Sequence, residues 1–78
     1  MRVFKTKLFG WLARKEGINN HVLTAAVREI EQGLYDGDLG GHVIKKRVAR
    51  AGAGKRGGYR TIIAYRKGTL AIFLIRLR

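Results

Sequence analysis

The sequence contains no cysteine, so neither disulfides nor thiolate metal sites support its fold. Its 78 residues correspond to a single domain, 1–78, with a modest core and a thin stability margin. The longest apolar run, Leu70 to Ile75, is far shorter than the roughly 18 residues that cross a bilayer. The charged beginning of the chain lacks the apolar stretch of a signal peptide. We therefore expect a cytoplasmic domain that does not enter a membrane.

Acidic residues are scarce, and none follows Asp38. The chain has 17 Lys and Arg against five Asp and Glu, which gives a formal net charge of +12 at pH 7. Self-repulsion of this size opposes folding, whereas binding to phosphates is favoured because each neutralised phosphate releases counterions. The charge predicts a polyanionic partner, and nucleic acid is favoured over an anionic membrane or an acidic protein.

Apolar residues near the N-terminus recur at helical spacing. A short strand at Arg2–Lys5 precedes a first helix, for which Thr6 is the N-cap and Gly17 the terminating glycine. Asn19 or Asn20 caps a second helix. The buried stripe of this second helix and its flank contain Val22, Leu23, Ala26, Val27, Ile30 and Leu34. Gly33 and the Asp36-Gly37 pair are expected to close it in a turn.

Beyond Gly41 the apolar period changes from that of a helix to that of a strand. This alternation predicts three strands, at His42–Arg50, Tyr59–Arg66 and Thr69–Arg76. A tight Lys67-Gly68 hairpin joins the last two, and residues 51–58 form a glycine-rich loop between the first two. The element order predicts an α+β fold, with two N-terminal helices packed on a small antiparallel sheet of about four strands.

One lysine conflicts with this pattern. Strict alternation in the first of these strands places Lys46 on the same face as Ile44 and Val48. Either Lys46 lies at a sheet margin and extends its ammonium group outward, or a β-bulge shifts the register there.

Two short motifs suggest chemistry that their surroundings do not support. Residues 52–57 satisfy G-x-G-x-x-G, but the dinucleotide site needs a helix after the motif and an acid about 20 residues further on. A flexible loop whose Lys55 and Arg56 contact a phosphate backbone is the better interpretation. His21 and His42 are isolated, which favours surface or capping roles. No residue set predicts a metal site or a cofactor.

Basic and tyrosine side chains are concentrated on the predicted sheet and its loop. The set comprises Lys45, Arg47, Arg50, Lys55, Arg56, Tyr59, Arg60, Tyr65 and Arg66. It is consistent with a surface that binds phosphates without chemistry. It is equally consistent with a metal-free RNA-cleaving site, in which clustered cations stabilise the phosphorane and a lysine with a lowered pKa moves protons.

The residues Lys45 to Arg50, the glycine-rich loop and Gly58 to Arg66 resemble the RelE/HigB-like toxins of bacterial toxin–antitoxin systems, in the RelE/ParE superfamily. The opening Val3 to Phe9, with Trp11, resembles one branch of that family. This resemblance implies a microbial ribonuclease fold. It also implies ribosome-dependent cleavage of mRNA, inhibition of translation, and neutralisation by a cognate antitoxin of the helix-turn-helix type.

The resemblance also implies roles for individual residues. Lys45, Arg47 and Arg60 would be catalytic, with Arg60 holding the scissile phosphate and one of the strand cations acting as a base. The expected RNA-binding residues are Lys46, Arg50, Lys55, Arg56, Tyr59, Tyr65 and Arg66. The ribosome and mRNA are the expected partners besides the antitoxin, and no metal or cofactor is implied.

The sequence departs from the family pattern at its end. Family members continue past the last strand with a segment that bears further active-site residues, whereas this chain stops at Arg78 with only Arg76 and Arg78 as nearby cations. A catalytically incomplete module that binds RNA or the antitoxin is therefore the alternative. A ParE-like gyrase inhibitor on the same fold is a further one.

Overall fold

A computed structural model describes residues 1–50 and 54–77, without the side chains of 54–57. Within these residues the order is β1 (Arg2–Lys5), α1 (Lys7–Glu16), α2 (Asn20–Glu31), β2 (Gly37–Gly40), β3 (Val43–Arg50), β4 (Gly54–Arg66) and β5 (Leu70–Leu77). The strands form one sheet in the order β1-β5-β4-β3-β2. Both helices pack on one face of this sheet, and the opposite face is termed the open face. The predicted α+β class is confirmed.

The sheet has one strand more than expected and is mixed, not wholly antiparallel. β2 lies where the sequence predicts a turn, because two glycines and no apolar alternation give no strand pattern. Its extended form depends on pairing with β3, where Gly37 lies opposite Lys45. β1 runs parallel to β5, a pairing between the two ends of the chain that no local pattern indicates.

The loop predicted over residues 51–58 is also shorter than expected. β4 begins at Gly54, which lies opposite Arg50, so residues 54–58 continue the strand and the loop prediction is wrong there. Residues 51–53 lie outside the described part of the chain. Beyond this point β3 and β4 stay in antiparallel register from Val48↔Tyr59 to Val43↔Ala64.

The helices begin where the sequence predicts. The Thr6 side chain accepts a hydrogen bond from the Phe9 N–H at 3.0 Å, and Gly17 ends α1 with φ 72°, a conformation that costs glycine little. Asn19 caps α2 by accepting from the Val22 N–H. α2 ends at Glu31, earlier than expected, and Leu34 is 52% exposed instead of buried.

The hydrophobic core lies between the helices and the sheet. The rings of Phe9 and Phe73 pack with centroids 5.2 Å apart, and Ile30 and Ile63 are almost fully buried beside them. Alternation in β3 and β4 sends every second side chain into this core and the others to the open face. No helix in the described ranges is long and apolar enough to cross a membrane.

Lys46 is buried on the helix side of the sheet, and neither explanation offered for it holds. It is 4% exposed, and its register with Thr61 is regular, because the irregularity lies between Val48 and Arg50. Its ammonium group donates to the Leu34 carbonyl at 2.8 Å and pairs with Glu29 at 2.8 Å. The lysine therefore connects β3 to the C-terminal end of α2.

Replacement of Glu29 by alanine should destabilise the protein, because it removes the carboxylate paired with a buried ammonium group. We expect a loss of about 1–3 kcal/mol in the free energy of unfolding, measured by urea denaturation. Glu31→Ala removes an exposed carboxylate from the same helix and should change stability by less than about 0.5 kcal/mol. Equal effects of the two substitutions would contradict a structural role for the Lys46–Glu29 pair.

Candidate nucleic-acid interface

Two arginines lie directly opposite each other on neighbouring strands. Arg47 of β3 pairs in register with Arg60 of β4, and both side chains belong to the open face because their sequence neighbours enter the core. Lys45 lies two residues before Arg47 on the same face and is exposed. Both guanidinium groups therefore lie on the open face, where one anion can contact the two together.

The three predicted catalytic residues surround one pocket of about 180 Å³. Its lining consists of Asp36, Lys45, Lys46, Arg47, Arg60 and Leu77. Lys46 borders the pocket, but its ammonium group is turned to the helix side. β3 and β4 therefore bring together the cations that the sequence singled out, on a site wide enough for a phosphodiester and open to solvent.

Asp36 is the residue of this site that the sequence did not indicate. Its carboxylate accepts a hydrogen bond from the Arg47 N–H at 2.5 Å, and its own N–H donates to the Lys45 carbonyl at 2.8 Å. These bonds fix the segment before β2 against the cationic strand. In the sequence the Asp36-Gly37 pair has the form of a turn, and only the pairing of β2 with β3 places it in the pocket.

Three of the residues expected to bind RNA lie on the helix side of the sheet, opposite the pocket. Besides Lys46, Tyr59 is 7% exposed and its hydroxyl donates to the Glu16 carbonyl. Tyr65 packs against the core, and its hydroxyl is buried without a hydrogen-bond partner. An alternating strand sends odd and even positions to opposite faces, so Tyr59 and Tyr65 cannot share a face with Arg60. Their contact with RNA stays a prediction, and it would have to occur on the helix side, away from the pocket.

Arg50 and Arg66 lie away from the pocket. Arg50 lines a different cavity, on the helix side, together with Lys15, Glu16 and Tyr59. Arg66 is on the open face, but six residues along β4 place it about 20 Å from Arg60. Arg76 is turned to the helix side, where it pairs with Glu16 and lies 4.8 Å from the Tyr59 ring. It therefore cannot supplement the pocket.

The sequence also drew attention to two cations of the predicted loop and to the two histidines. The side chains of Lys55 and Arg56 lie outside the described residues, so their contact with RNA stays a prediction. His21 and His42 are exposed on separate elements and neither lines the pocket. His42 follows Gly40 and Gly41 in the left-handed region, at φ 64°. Its carbonyl accepts a hydrogen bond from the Tyr65 N–H at 2.7 Å, which starts the β3–β4 ladder.

Comparison with family models places the chain in a class of small toxins that belong to toxin–antitoxin systems. A family model described as "RelE toxin of RelE / RelB toxin-antitoxin system" matches residues 1–77. The chain therefore belongs to the RelE toxin family, and an antitoxin is its expected partner. Comparisons with curated proteins and with solved structures give no significant match.

Asp36→Asn should strengthen the binding of RNA to the pocket. The amide keeps an acceptor oxygen for the Arg47 N–H but removes one negative charge beside the phosphate, an effect of about 1 kcal/mol at the surface, or about fivefold in affinity. Fluorescence anisotropy with a 2′-O-methyl oligoribonucleotide measures it without cleavage. Lys45→Gln removes one positive charge from the same pocket and should therefore weaken the binding of RNA. Weaker binding by Asp36→Asn would show that the carboxylate's structural role outweighs its charge.

Tyr65→Phe should leave RNA binding unchanged and keep or raise stability by up to about 1 kcal/mol, because it removes a buried hydroxyl that has no partner. Burial, then Glu31 and Tyr35, raise the pKa of Tyr65 above 10.0. The unfolded state therefore loses this proton first, and stability falls as pH rises above about 10. Tyr65→Phe should abolish this contribution to the fall in alkaline urea denaturation, whereas Tyr35→Phe, which removes only the last of the three causes, should reduce it much less.

Proposed function

We propose that this toxin is a metal-independent endoribonuclease that cleaves mRNA on the ribosome, in the cytoplasm, and so inhibits translation. The observation that carries the proposal is the Arg47–Arg60 cross-strand pair in one pocket with Lys45. Facing arginines on neighbouring strands present two guanidinium groups on one face of the sheet, and a phosphodiester between them would accept hydrogen bonds from both.

The cleavage would use the ribose 2′-hydroxyl of the substrate as the nucleophile. Its oxygen attacks the adjacent phosphorus and the bond to the 5′-oxygen breaks, which leaves a 2′,3′-cyclic phosphate and a 5′-hydroxyl. Negative charge increases on the phosphorane oxygens during this step. Guanidinium groups placed around a phosphate stabilise that charge, and Arg47 and Arg60 are the groups positioned for it.

Proton transfer is the second requirement. The attacking hydroxyl loses a proton, and the leaving oxygen gains one. Asp36 is the only carboxylate among the described residues that line the pocket, so it is the candidate acceptor. Lys45, on the same face as both arginines, is the candidate donor. A 2′-proton would pass to Asp36 while Lys45 protonates the departing 5′-oxygen.

A non-cleaving function is the second candidate, and one observation favours it. Among the residues described around the pocket there is no tyrosine or histidine, because Tyr59 and Tyr65 lie on the helix side. Catalysis would then depend on Asp36 and Lys45 alone. Without efficient proton transfer, the same cations would hold RNA, or the carboxylates of the antitoxin, and would not cut.

Arg60→Ala should abolish toxicity if the pocket cleaves mRNA. Removal of one group that stabilises transition-state charge costs about 10²–10³-fold in rate. Primer extension on a translated message, together with growth after induction, measures the loss. Arg28→Ala, which removes an exposed cation from α2, is the control of equal charge and should cut as the wild type does.

The outcomes separate the two candidates. Cleavage by the wild type that disappears with Arg60→Ala supports the endoribonuclease. Intact messages with wild-type protein that still binds ribosomes would support the binding module instead. Equal growth arrest by wild type and Arg60→Ala would contradict the pocket as the source of toxicity.

A further inference from the structure

The side of α1 that points away from the sheet carries a second basic surface. α1 buries Phe9 and Ala13 against the core, and the side chains on its opposite side are exposed. We define the outer face of α1 by its exposed cations and apolar residues, which are Lys7, Leu8, Trp11, Arg14 and Lys15. None of the residues that line the Arg47–Arg60 pocket belongs to it.

Trp11 is at the centre of this face. It is the only tryptophan of the chain and is 51% exposed. Residues three or four positions apart are neighbours on a helix surface, so Lys7, Arg14 and Lys15 occupy the positions next to Trp11. The Lys15 ammonium group lies 5.1 Å from the ring centroid. Exposed apolar residues are common on proteins, but an exposed indole with a cation at each of these neighbouring positions is a specific arrangement.

Acidic residues do not offset this charge. Glu16 is the only carboxylate of α1, and it is turned under the helix, where it pairs with Arg76 of β5. The first turn of α1 contains no acid, although acids are stabilising at that end of a helix. The outer face is therefore cationic throughout, and the charge there is unfavourable for the helix N-terminus itself.

We infer that the outer face of α1 is a second RNA-binding surface, where a base stacks on Trp11 while Lys7, Arg14 and Lys15 contact the neighbouring phosphates. Base–aromatic stacking beside a cationic track is the usual arrangement in proteins that bind unpaired nucleotides. The inference takes RNA as the ligand from the proposed function, but it concerns a surface separate from the cleavage pocket.

The composition of this surface favours RNA over a protein or a membrane. Within α1, the exposed large apolar residues are Leu8 and Trp11, whereas the core of a protein interface is depleted of charge and much larger. A helix that inserts into a membrane presents its apolar face to lipid, but the apolar face of α1 is already buried against the sheet. Stacking and phosphate contacts need little apolar area.

The outer face of α1 and the Arg47–Arg60 pocket are separated by the sheet. The cleavage pocket lies on the open face, and α1 packs on the opposite face of the sheet. A strand bound in the pocket must pass an edge of the sheet to reach Trp11. Simultaneous binding of both sites therefore requires RNA on both sides of the sheet. The α1 surface would hold an unpaired segment of that RNA while the pocket receives the message.

Because Trp11 is the sole tryptophan, its fluorescence reports this surface directly. Titration with an unstructured 2′-O-methyl oligoribonucleotide should quench the emission in parallel with the anisotropy of a labelled strand. Heparin, a polyanion without bases, should bind with little quenching. Complete binding of RNA without quenching, or equal quenching by heparin, would overturn the stacking contact. A blue shift with phosphatidylglycerol vesicles in the absence of any RNA effect would overturn the choice of ligand.

Charge variants test the phosphate contacts with the net charge matched. The double substitution Lys7→Gln and Arg14→Gln should weaken RNA binding at least about fivefold and should reduce the slope against log salt by about 1.4, or about 0.7 for each lost contact with a single strand. The control, Arg28→Gln with Lys67→Gln, removes the same charge from exposed positions outside the outer face. Equal losses in the two variants would overturn the inference.

Trp11→Ala completes the test, because an exposed side chain can be removed without loss of folding. Stacking accounts for about 5- to 150-fold in affinity per base, and anisotropy should show a loss in that range with unchanged thermal unfolding. Arg60→Ala should abolish cleavage and leave the Trp11 quenching intact. If Arg60→Ala still cleaves mRNA, the proposed function is contradicted and the α1 inference is not affected. If Trp11→Ala binds as the wild type does, only the α1 inference fails.

Discussion

The antiparallel register of β3 with β4 is the constraint on which the rest of the structure depends. It pairs Ile44 with Ile63 on the helix side and, in the same ladder, Arg47 with Arg60 on the open side. A shift of one residue would exchange the two faces of a strand, burying arginines under the helices and exposing the core. One register therefore sets both the hydrophobic core and the basic pocket.

Burial of apolar side chains under the helices stabilises the β3–β4 register on the helix side of the sheet only. Ile44, Val48 and Ile63 lose nearly all contact with water, while the repulsion between Arg47 and Arg60 acts in the opposite direction on the open face. Lys46 belongs to the stabilising side, because its pairing with Glu29 attaches β3 to α2. A strand that carries three consecutive cations can thus remain a regular part of the sheet, with its central lysine turned inward.

Local signals explain what the sequence could predict. The caps Thr6, Gly17 and Asn19 act within a few residues of their own positions, and strand alternation is likewise local, so both helices and the strands with apolar alternation were predictable. β2 was not, because its strand conformation depends on hydrogen bonds to β3. Asp36 enters the pocket through the same pairing. Both features require contacts between residues that are distant in the sequence.

The tyrosines show a different limit. Alternation along β4 separates Tyr59 and Tyr65 from Arg60, yet residue type suggested that all of them contact RNA. The helices decide which face is solvated, and they cover the tyrosine face, where Tyr59 is bonded to the C-terminal end of α1. The period of a strand separates its two faces, but amphipathic residues such as tyrosine do not reveal which face is buried.

The few acidic residues explain why so large a positive charge is compatible with folding. Glu16 and Glu29 pair with Arg76 and Lys46 on the helix side, where unpaired cations would be most costly. Asp36 and Asp38 accept hydrogen bonds from backbone N–H groups beside β2. Carboxylates are thus placed where the fold itself needs them, and the excess cations occupy surfaces in contact with water. Exposed cations consequently lie on both sides of the sheet, in the pocket on one side and on the outer face of α1 on the other.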